Sequence, residues 1–556
     1  MKNWHRYILL GILALHLALS IISINQPFQG DEVVFPACAK NYIETGKLEF
    51  NFSTLNPGYK CLWHPPLYIN LMAGSIYTFG DSVYAIRGIS ALFNFLTIII
   101  VYFTLKEIWK SNRKKEIIGL TGAFIYALNP LVIQSSVAVD IDGGILNFFI
   151  MLFLLLFIKK KSFAWLIPSL FLVFWSKFAG IIILIPVLLI YHAYLKEWKE
   201  LRRSFFLLVI TGLIFLASFY AYTSAINADF MMTFVHNFAG RGAGFLSYLG
   251  IIKAAWALKS FVYFAVPFLI VLFSIFTFMF HKTIWGKEKY EFDKNILLYN
   301  IFAIFTILFY TYLKGTSWLF PKYFITSMAS IAIFTASYIF TYFDTDKFKE
   351  NISNNKRTIK LIILFIILLI YFKLAIGDPL IPEFDETKEN ANLAMATLLI
   401  MKSFSLYILI PFLVSLLFID NMNKNGIILT LMFLILFAYV YIGFTQANAD
   451  YSTYSRYGDG GVRETIDYLS ANNISAREIA GYLYIGYYMG VSDYTDVSIV
   501  FNNATEFKEK IVDNNDIKYM IIFNRDIARI GDNMKYFELE KRFGGNYIYR
   551  RMNITS

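Results

Sequence analysis

Asp31 and Glu32 are neighbouring carboxylates that follow the first apolar run of the chain, residues 7–24. That run is long enough to cross a bilayer, so the pair is predicted to lie at the edge of the membrane. Charge so close to hydrocarbon is costly unless it is paired or serves a function. A carboxylate placed there could act as a general base toward a head group at the membrane surface, with its neighbour orienting the reacting groups.

Other residues suited to binding a substrate occur in loops predicted to lie on the same side of the membrane. They are His64, Asp140, Asp142, Lys177, His236, Arg241, Lys322 and Tyr323. Helical spacing should point Asp140 and Asp142 in different directions, so the two are not expected to share one role. Lys177 and Arg241 have no acidic neighbour in sequence, and each is therefore expected to be free to hold an external anion such as phosphate.

Four of these residues also have a purely structural interpretation. Asp140 or Asp142 could cap the helix that follows, because acidic side chains favour a helix N-terminus. Lys177 could be a lysine that extends its ammonium group to the membrane surface. Arg241, in the glycine-bordered stretch GRGAG, could contact lipid phosphate from a flexible loop.

The composition places these residues in a membrane protein. Of the 556 residues 57% are hydrophobic and only 16% are charged, whereas a soluble protein of this size would be more polar. The net charge of +11 does not indicate nucleic-acid binding, because the lysines and arginines lie mostly in short loops between apolar runs. The first apolar run is longer than a signal-peptide core and lacks a convincing cleavage site, so it is predicted to be a retained helix.

Apolar length predicts about thirteen membrane spans. They lie near 7–24, 83–105, 117–137, 143–158, 162–176, 179–195, 204–224, 256–280, 296–313, 324–343, 359–376, 398–419 and 427–445. The basic loops all fall on the side of the N-terminus, which the positive-inside rule makes cytoplasmic. The first external loop (25–82) and the C-terminus are then extracellular.

The predicted fold is therefore mostly α, with a transmembrane catalytic domain over 1–445 and a small external α/β domain over 446–556. In the latter, helices are predicted at 461–471 and 504–514 and strands at 496–501 and 517–523. Within the first external loop, 33–45 is predicted to be a helix at the membrane interface, and 66–79 is predicted either to lie at that interface or to enter the membrane and return. At 1.5 Å per residue the second reaches only about 21 Å, less than the roughly 30 Å hydrocarbon core.

The chain has two cysteines, and both lie in the first external loop. An oxidising exterior would permit a disulfide between Cys38 and Cys61. Two unpaired thiols are the alternative, and the sequence leaves the choice open.

These pieces together resemble the GT-C glycosyltransferases, in the branch of the protein O-mannosyltransferases and lipid A aminoarabinose transferases. The resemblance covers about residues 5–345 and depends on the order of its motifs: Asp31-Glu32, HPPLY (64–68), RGISALFNFLTIIIVY (87–102), NPLVIQSSVAVDIDGG (129–144), WSKFAGIIILIPVLLIY (175–191) and PKYF (321–324). Aminoarabinose transferases tend to have an acidic residue and a lysine before the prolines of HPPLY, so this departure argues against aminoarabinose as the sugar.

The resemblance implies an inverting transfer of a hexose, of the mannosyltransferase kind, from a polyprenyl phosphate to a hydroxyl group. The acceptor, on the outer face of the membrane, could be a protein, a lipid or a glycan. Asp31 would be the base, Glu32 would orient it or the acceptor, and Lys177 and Arg241 would hold the phosphate. His236 would assist them and His64 would line the same pocket. No cofactor is implied beyond the lipid-linked substrate, and a divalent metal is left open.

Two other classes of function remain open from the sequence. A secondary transporter would place ionisable residues near mid-membrane on several helices, whereas the predicted spans are nearly free of them and His16 is the main exception. A non-catalytic binding or sensor protein could use the external domain alone. It would not need polar residues at the mouths of several outer loops.

Overall fold

The structure is a computed structural model, and a large part of the chain is described in it. The described residues are 4–24, 28, 30–50, 59–231, 233, 294–312, 325–342, 363–364, 366–371, 405, 409–416, 461–490, 494–497, 500, 504–523, 526–527 and 530–552. Within them the chain is mostly helical, as the sequence predicts. The predicted spans at 256–280 and 427–445 lie outside the described residues.

The described chain up to residue 416 is built mainly from helices. They are α1 (Trp4–Ile24), α2 (Val34–Thr45), α3 (Leu67–Phe79), α4 (Val83–Ile108), α5 (Lys115–Ala127), α6 (Pro130–Ser136), α7 (Asn147–Ile158), α8 (Phe163–Ser176), α9 (Phe178–Tyr194), α10 (Trp198–Ala225), α11 (Lys294–Tyr312), α12 (Ile325–Tyr342) and α13 (Ile410–Leu416). Among the described residues, α1, α4 and α10 contain stretches long and apolar enough to cross a membrane, and α7, α8, α9, α11 and α12 are shorter apolar helices. A total of about thirteen spans stays a prediction.

The predicted span at 117–137 is not one continuous helix, and its crossing of the membrane stays a prediction. The structure has two helices there, α5 and α6, separated at Leu128 and Asn129. Pro130 is the first residue of α6, a position that suits proline because its missing N–H has no helical partner there. The ring of Pro130 also disfavours the helical conformation of Asn129, which ends α5 before it can continue.

The chain divides into two compact units that are discontinuous in sequence. The helical unit comprises 1–22, 90–222 and 229–449, and the mixed unit comprises 23–89, 223–228 and 450–556. Buried apolar side chains of α4, α5, α7–α9, α11 and α12 form the core of the helical unit. Small residues allow close helix packing there: a Cβ on Gly122 would lie 2.1 Å from the Leu105 side chain.

In the mixed unit, the first loop region is folded around α2 and α3, which confirms the helices predicted at 33–45 and 66–79. Their location at the membrane interface stays a prediction. β1 (Glu49–Phe50) pairs antiparallel with β2 (Tyr59–Lys60). Cys38 and Cys61 form a disulfide, which links α2 to the segment that leads into α3.

The C-terminal part of the mixed unit contains a five-stranded sheet. Its elements are α14 (Val462–Ala471), β3 (Ile479–Gly481), α15 (Leu483–Tyr488), β4 (Thr495–Asp496), α16 (Ala504–Phe507), β5 (Tyr519–Phe523), β6 (Phe537–Phe543) and β7 (Asn546–Arg551). The strand order is β4-β3-β5-β7-β6. β3 is parallel to both β4 and β5, and β7 is antiparallel to β5 and β6.

The sequence predicted the helix α14 and the strand β5 but missed three of the strands. β3 lies between β4 and β5, so the two predicted strands are not neighbours in the sheet. Of the predicted strand 496–501, Asp496 belongs to β4, Val497 and Val500 are not in a strand, and the other three residues lie outside the described residues. The predicted helix 504–514 is α16 continued by a π-helical turn, Lys508–Val512. A buried apolar cluster supports this sheet, with Ala480, Met520 and Ile522 fully inaccessible to solvent.

Candidate active site

The acidic pair lies in a short turn of the mixed unit. Asp31 and Glu32 belong to a 3₁₀ turn, Gly30–Val33, that leads directly into α2. The structure describes Asp31 through the backbone of this turn, whereas the side chain of Glu32 is described as well. We call Gly30–Val33 the acidic turn.

Glu32 forms a two-point ion pair with Arg87 of α4. Arg87 Nε donates to Glu32 Oε1 at 3.2 Å and Arg87 Nη2 donates to Oε2 at 2.8 Å. A third guanidinium nitrogen, Nη1, donates to the carbonyl oxygen of Ile24 at 2.8 Å. The Arg87 side chain is fully buried, so the pair fixes the acidic turn against the start of α4 with the geometry that a planar guanidinium imposes.

Sequence reasoning gave Arg87 no role. The signal that could have found it is its place in the apolar run 83–105, because an arginine in such a segment requires an acidic partner or a water-filled cavity. The identity of that partner could not be read from the sequence, since Glu32 precedes Arg87 by 55 positions.

The segment that carries His64 packs near the acidic turn, through the first residues of α2. The ring of Phe35 contacts Trp63 at 6.0 Å and Tyr68 at 5.4 Å between centroids. His64 itself is half-buried in a bend before α3. The structure therefore places the WHPPLY stretch (63–68) against α2, the helix that follows Glu32. This contact is consistent with His64 and the acidic turn lying in the same region of the mixed unit.

Asp140 acts as a cap in the helical unit, which is one of the two interpretations left open by the sequence. Its carboxylate accepts hydrogen bonds from the backbone N–H groups of Asp142 at 3.0 Å and Gly143 at 3.1 Å. Ser90 of α4 holds the backbone of Asp140 on the other side through two 3.1 Å bonds. The Asp140 carboxylate thus caps the first two N–H groups of the π-helical turn Asp142–Leu146. A side chain at Gly143 would collide with Ser135 and Asp140.

Asp142 has a different role from Asp140, as the sequence predicted. Both of its carboxylate oxygens accept from Lys177 Nζ, at 2.6 and 2.7 Å, and Tyr310 of α11 donates to Oδ1 at 3.3 Å. The side chains of Asp142 and Lys177 are 1% and 4% exposed. The expectation that Lys177 is free for an external anion is wrong, because a buried carboxylate already neutralises its charge.

Lys177 lies where the sequence predicted, in a very short turn between two apolar helices. α8 ends at Ser176 and α9 begins at Phe178, and Lys177 alone adopts an extended conformation between them. The turn is so short that the Lys177 side chain enters the helical unit rather than solvent. Its distance of 35 positions from Asp142 explains why no acidic neighbour was evident in the sequence.

Four of the predicted site residues, His236, Arg241, Lys322 and Tyr323, lie outside the described residues. Among the residues that are described, no group of three or more His, Cys, Asp or Glu side chains could hold a metal ion.

A protein-family model matches part of the sequence that carries these residues. Residues 63–223 match the model of the dolichyl-phosphate-mannose-protein mannosyltransferase family. The match includes His64, Arg87, Asp140, Asp142 and Lys177, and it begins after the acidic turn. No curated protein sequence matches the chain.

Solved structures with a similar fold extend the comparison to almost the whole chain. ArnT from Cupriavidus metallidurans bound to undecaprenyl phosphate has a TM-score of 0.58 at 13% identity, with 98% of each chain covered. The apo form of the same protein has a TM-score of 0.55 at 13% identity, with 97% of each chain covered. The chain has the GT-C fold of these structures.

One further match is more distant. The Archaeoglobus fulgidus oligosaccharyltransferase in its apo form has a TM-score of 0.49 at 11% identity, with 100% of this chain and 75% of that chain covered.

The family match and the GT-C fold together support a membrane glycosyltransferase, as the resemblance of the sequence motifs implies.

Proposed function

We propose that this GT-C protein transfers a sugar from a polyprenyl phosphate to a hydroxyl-bearing acceptor, with inversion at the anomeric carbon. The ArnT structure of the same fold holds undecaprenyl phosphate, and we carry that class of lipid over to this chain. The observation that carries the proposal is the ion pair of Glu32 with Arg87, because it divides the two adjacent carboxylates into different roles.

Glu32 is poorly suited to be the base. Arg87 donates to both of its oxygens, so each oxygen is already engaged in a charged hydrogen bond that orients it toward α4. We therefore assign the base to Asp31 and give Glu32 the role of fixing the acidic turn. This division agrees with the roles that the sequence resemblance implies for the two residues.

The proposed reaction is a single displacement. Asp31 accepts the proton of the acceptor hydroxyl, and the oxygen forms a bond to the anomeric carbon of the donor sugar. The bond between that carbon and the phosphate oxygen breaks, and its electron pair leaves with the polyprenyl phosphate. Attack opposite the leaving group inverts the configuration, and cationic side chains stabilise the departing phosphate.

We assign the phosphate chiefly to Arg241, assisted by His236, which lies five positions earlier in the sequence. Arginine can hold phosphate through two parallel hydrogen bonds. Lys177 is a weaker candidate than the sequence suggested, since Asp142 already neutralises it. We propose that the pair of Lys177 and Asp142 fixes the break between α8 and α9.

The finer points of the proposal follow the sequence resemblance. The sugar is a hexose of the mannose kind, the acceptor is a protein, lipid or glycan, and transfer takes place on the outer face of the membrane. The N-terminus is then cytoplasmic and residues 446–556 form an external domain.

A donor panel tests the proposal. The purified full-length protein is incubated with radiolabelled polyprenyl-phosphate sugars, one at a time, and with membrane extract as the source of acceptor. We expect label to move from one donor to acceptor material and to show an inverted anomeric configuration. A panel in which no donor gives transfer would remove the proposed function, and retained configuration would remove the single displacement.

A further inference from the structure

The acidic turn is contacted by a helix from the far end of the chain. Tyr488, the last residue of α15, accepts a hydrogen bond from the backbone N–H of Phe28. The rings of the two residues are stacked, with centroids 6.4 Å apart, and Tyr487 meets Phe28 edge-on at 5.7 Å. Phe28 is 2% exposed, so these contacts enclose the residue that leads into the turn.

Phe28 in turn contacts the cation that binds Glu32. The Arg87 guanidinium carbon lies 4.8 Å from the centroid of the Phe28 ring, within the range of a cation–π interaction. Arg87 is the residue that holds both oxygens of Glu32. A continuous series of contacts therefore runs from Tyr488 through Phe28 and Arg87 to Glu32, all inside the mixed unit.

The position of α15 is itself closely constrained. β3 ends at Gly481 and the chain enters α15 after one residue. A Cβ on Gly486 would lie 2.7 Å from ring atoms of Tyr494, and a Cβ on Gly481 would lie 2.2 Å from the Tyr494 hydroxyl. Tyr494 is fully buried. Only glycine at these two positions lets α15 pack this closely against Tyr494 of the sheet region.

The contact from Lys40 adds a second connection between the same two parts of the chain. Its Nζ lies 4.2 Å from the Tyr487 ring centroid, and it forms an ion pair with Asp81. Lys40 belongs to α2, the helix that begins where the acidic turn ends. α15 thus contacts the chain on both sides of the turn, at Phe28 before it and at Lys40 within α2 after it.

Tyr488 is not suited to proton transfer. Burial raises its pKa to about 12, while the hydrogen bond from the Phe28 backbone acts in the opposite direction. The hydroxyl therefore stays protonated at neutral pH, and its contribution is geometric.

We propose that Tyr488 is a positioning residue for sugar transfer: it holds Phe28, and through Phe28 and Arg87 it holds the acidic turn in its reactive placement. The inference rests on the proposed function of Asp31 as the base. A general base is effective only within hydrogen-bond reach of the proton that it accepts. A displacement of about 1 Å can lower the rate on the order of 100-fold, so an anchor at Phe28 has a kinetic effect at Asp31.

The test compares Tyr488→Phe with the wild type in the full-length membrane-embedded protein. The variant keeps the ring and loses the oxygen that accepts from the Phe28 N–H. We expect kcat to fall roughly tenfold while KM for the polyprenyl-phosphate sugar changes less than about twofold, because the donor contacts are intact. Hydrogen exchange of peptides containing Phe28 should become faster, since that amide loses its acceptor.

Tyr468→Phe is the matched control. It removes a tyrosine hydroxyl from the same C-terminal part of the chain, but that hydroxyl donates to Glu540 of β6 and should affect neither readout. Faster exchange with an unchanged kcat in Tyr488→Phe would overturn the inference, as would a variant identical to wild type in both measurements. A wild type that transfers no sugar would instead overturn the proposed function, and the catalytic inference with it.

Discussion

Lys177 and Asp142 neutralise each other inside the helical unit, with both carboxylate oxygens within 2.7 Å of one ammonium nitrogen. A buried ion pair adds little stability relative to apolar residues, but removing one partner leaves an uncompensated charge. The effects of mutating the two residues on stability should therefore depend on each other, whatever the substrate.

Lys177→Ala should lower the free energy of unfolding by about 3–5 kcal/mol, because the Asp142 carboxylate remains buried without its cation. The double variant Lys177→Ala/Asp142→Ala should regain most of the stability, and most of the affinity for the donor, that the single change removes. Thermal unfolding and donor binding of the purified variants measure both. Lys199→Ala, at an exposed position of α10, is the control.

The contrary outcome for this pair is specific. A double variant that is stable but binds polyprenyl-phosphate sugar as weakly as the single variant would show that Lys177 itself contacts the phosphate. The role that the sequence resemblance implies for Lys177 would then be correct after all.

Arg87→Lys should reduce sugar transfer by about 10- to 100-fold, because lysine cannot reproduce the two parallel hydrogen bonds to Glu32 or the contact with the Phe28 ring. The measurement is kcat with the donor found in the panel. Arg113→Lys makes the same exchange at an exposed position between α4 and α5 and should leave kcat unchanged. Full activity of Arg87→Lys would mean that the ion pair has no part in catalysis.

Asp31→Asn should lower kcat by about 10²–10⁴ while leaving the protein folded and able to bind donor, because the amide keeps the shape of the carboxylate but cannot accept a proton. The control is Asp467→Asn, which makes the same change at an exposed position of α14. Turnover of Asp31→Asn within a fewfold of wild type would remove Asp31 from the proposed mechanism.

The predicted topology can be tested with reporter enzymes. A reporter fused after Ser556 should be active only if it functions outside the cytoplasm, because an odd number of spans carries the C-terminus across the membrane. A tag inserted between Arg113 and Lys114, in a basic loop, should be accessible only from the cytoplasmic side. Two insertions that report the same side would contradict the span count.

Local patterns of the sequence predicted the elements, and long-range pairing decided the site. The helices α2, α3 and α14 and the break at Lys177 follow from apolar length and periodicity, which are local properties. The partners of Lys177 and Glu32 lie 35 and 55 positions away, and they are chosen by tertiary packing. β3 was missed for a related reason: three residues are too few to show the alternation of a strand.

The contact between Phe28 and Tyr488 also has a consequence for biosynthesis. The two residues are separated by 460 positions. At a translation rate of roughly 5–20 residues per second, Phe28 emerges roughly 20–90 seconds before its partner exists. The acidic turn therefore lacks its contact with α15 while most of the chain is being synthesised. We expect a newly made protein to reach full transferase activity only when the C-terminal five-stranded sheet has folded.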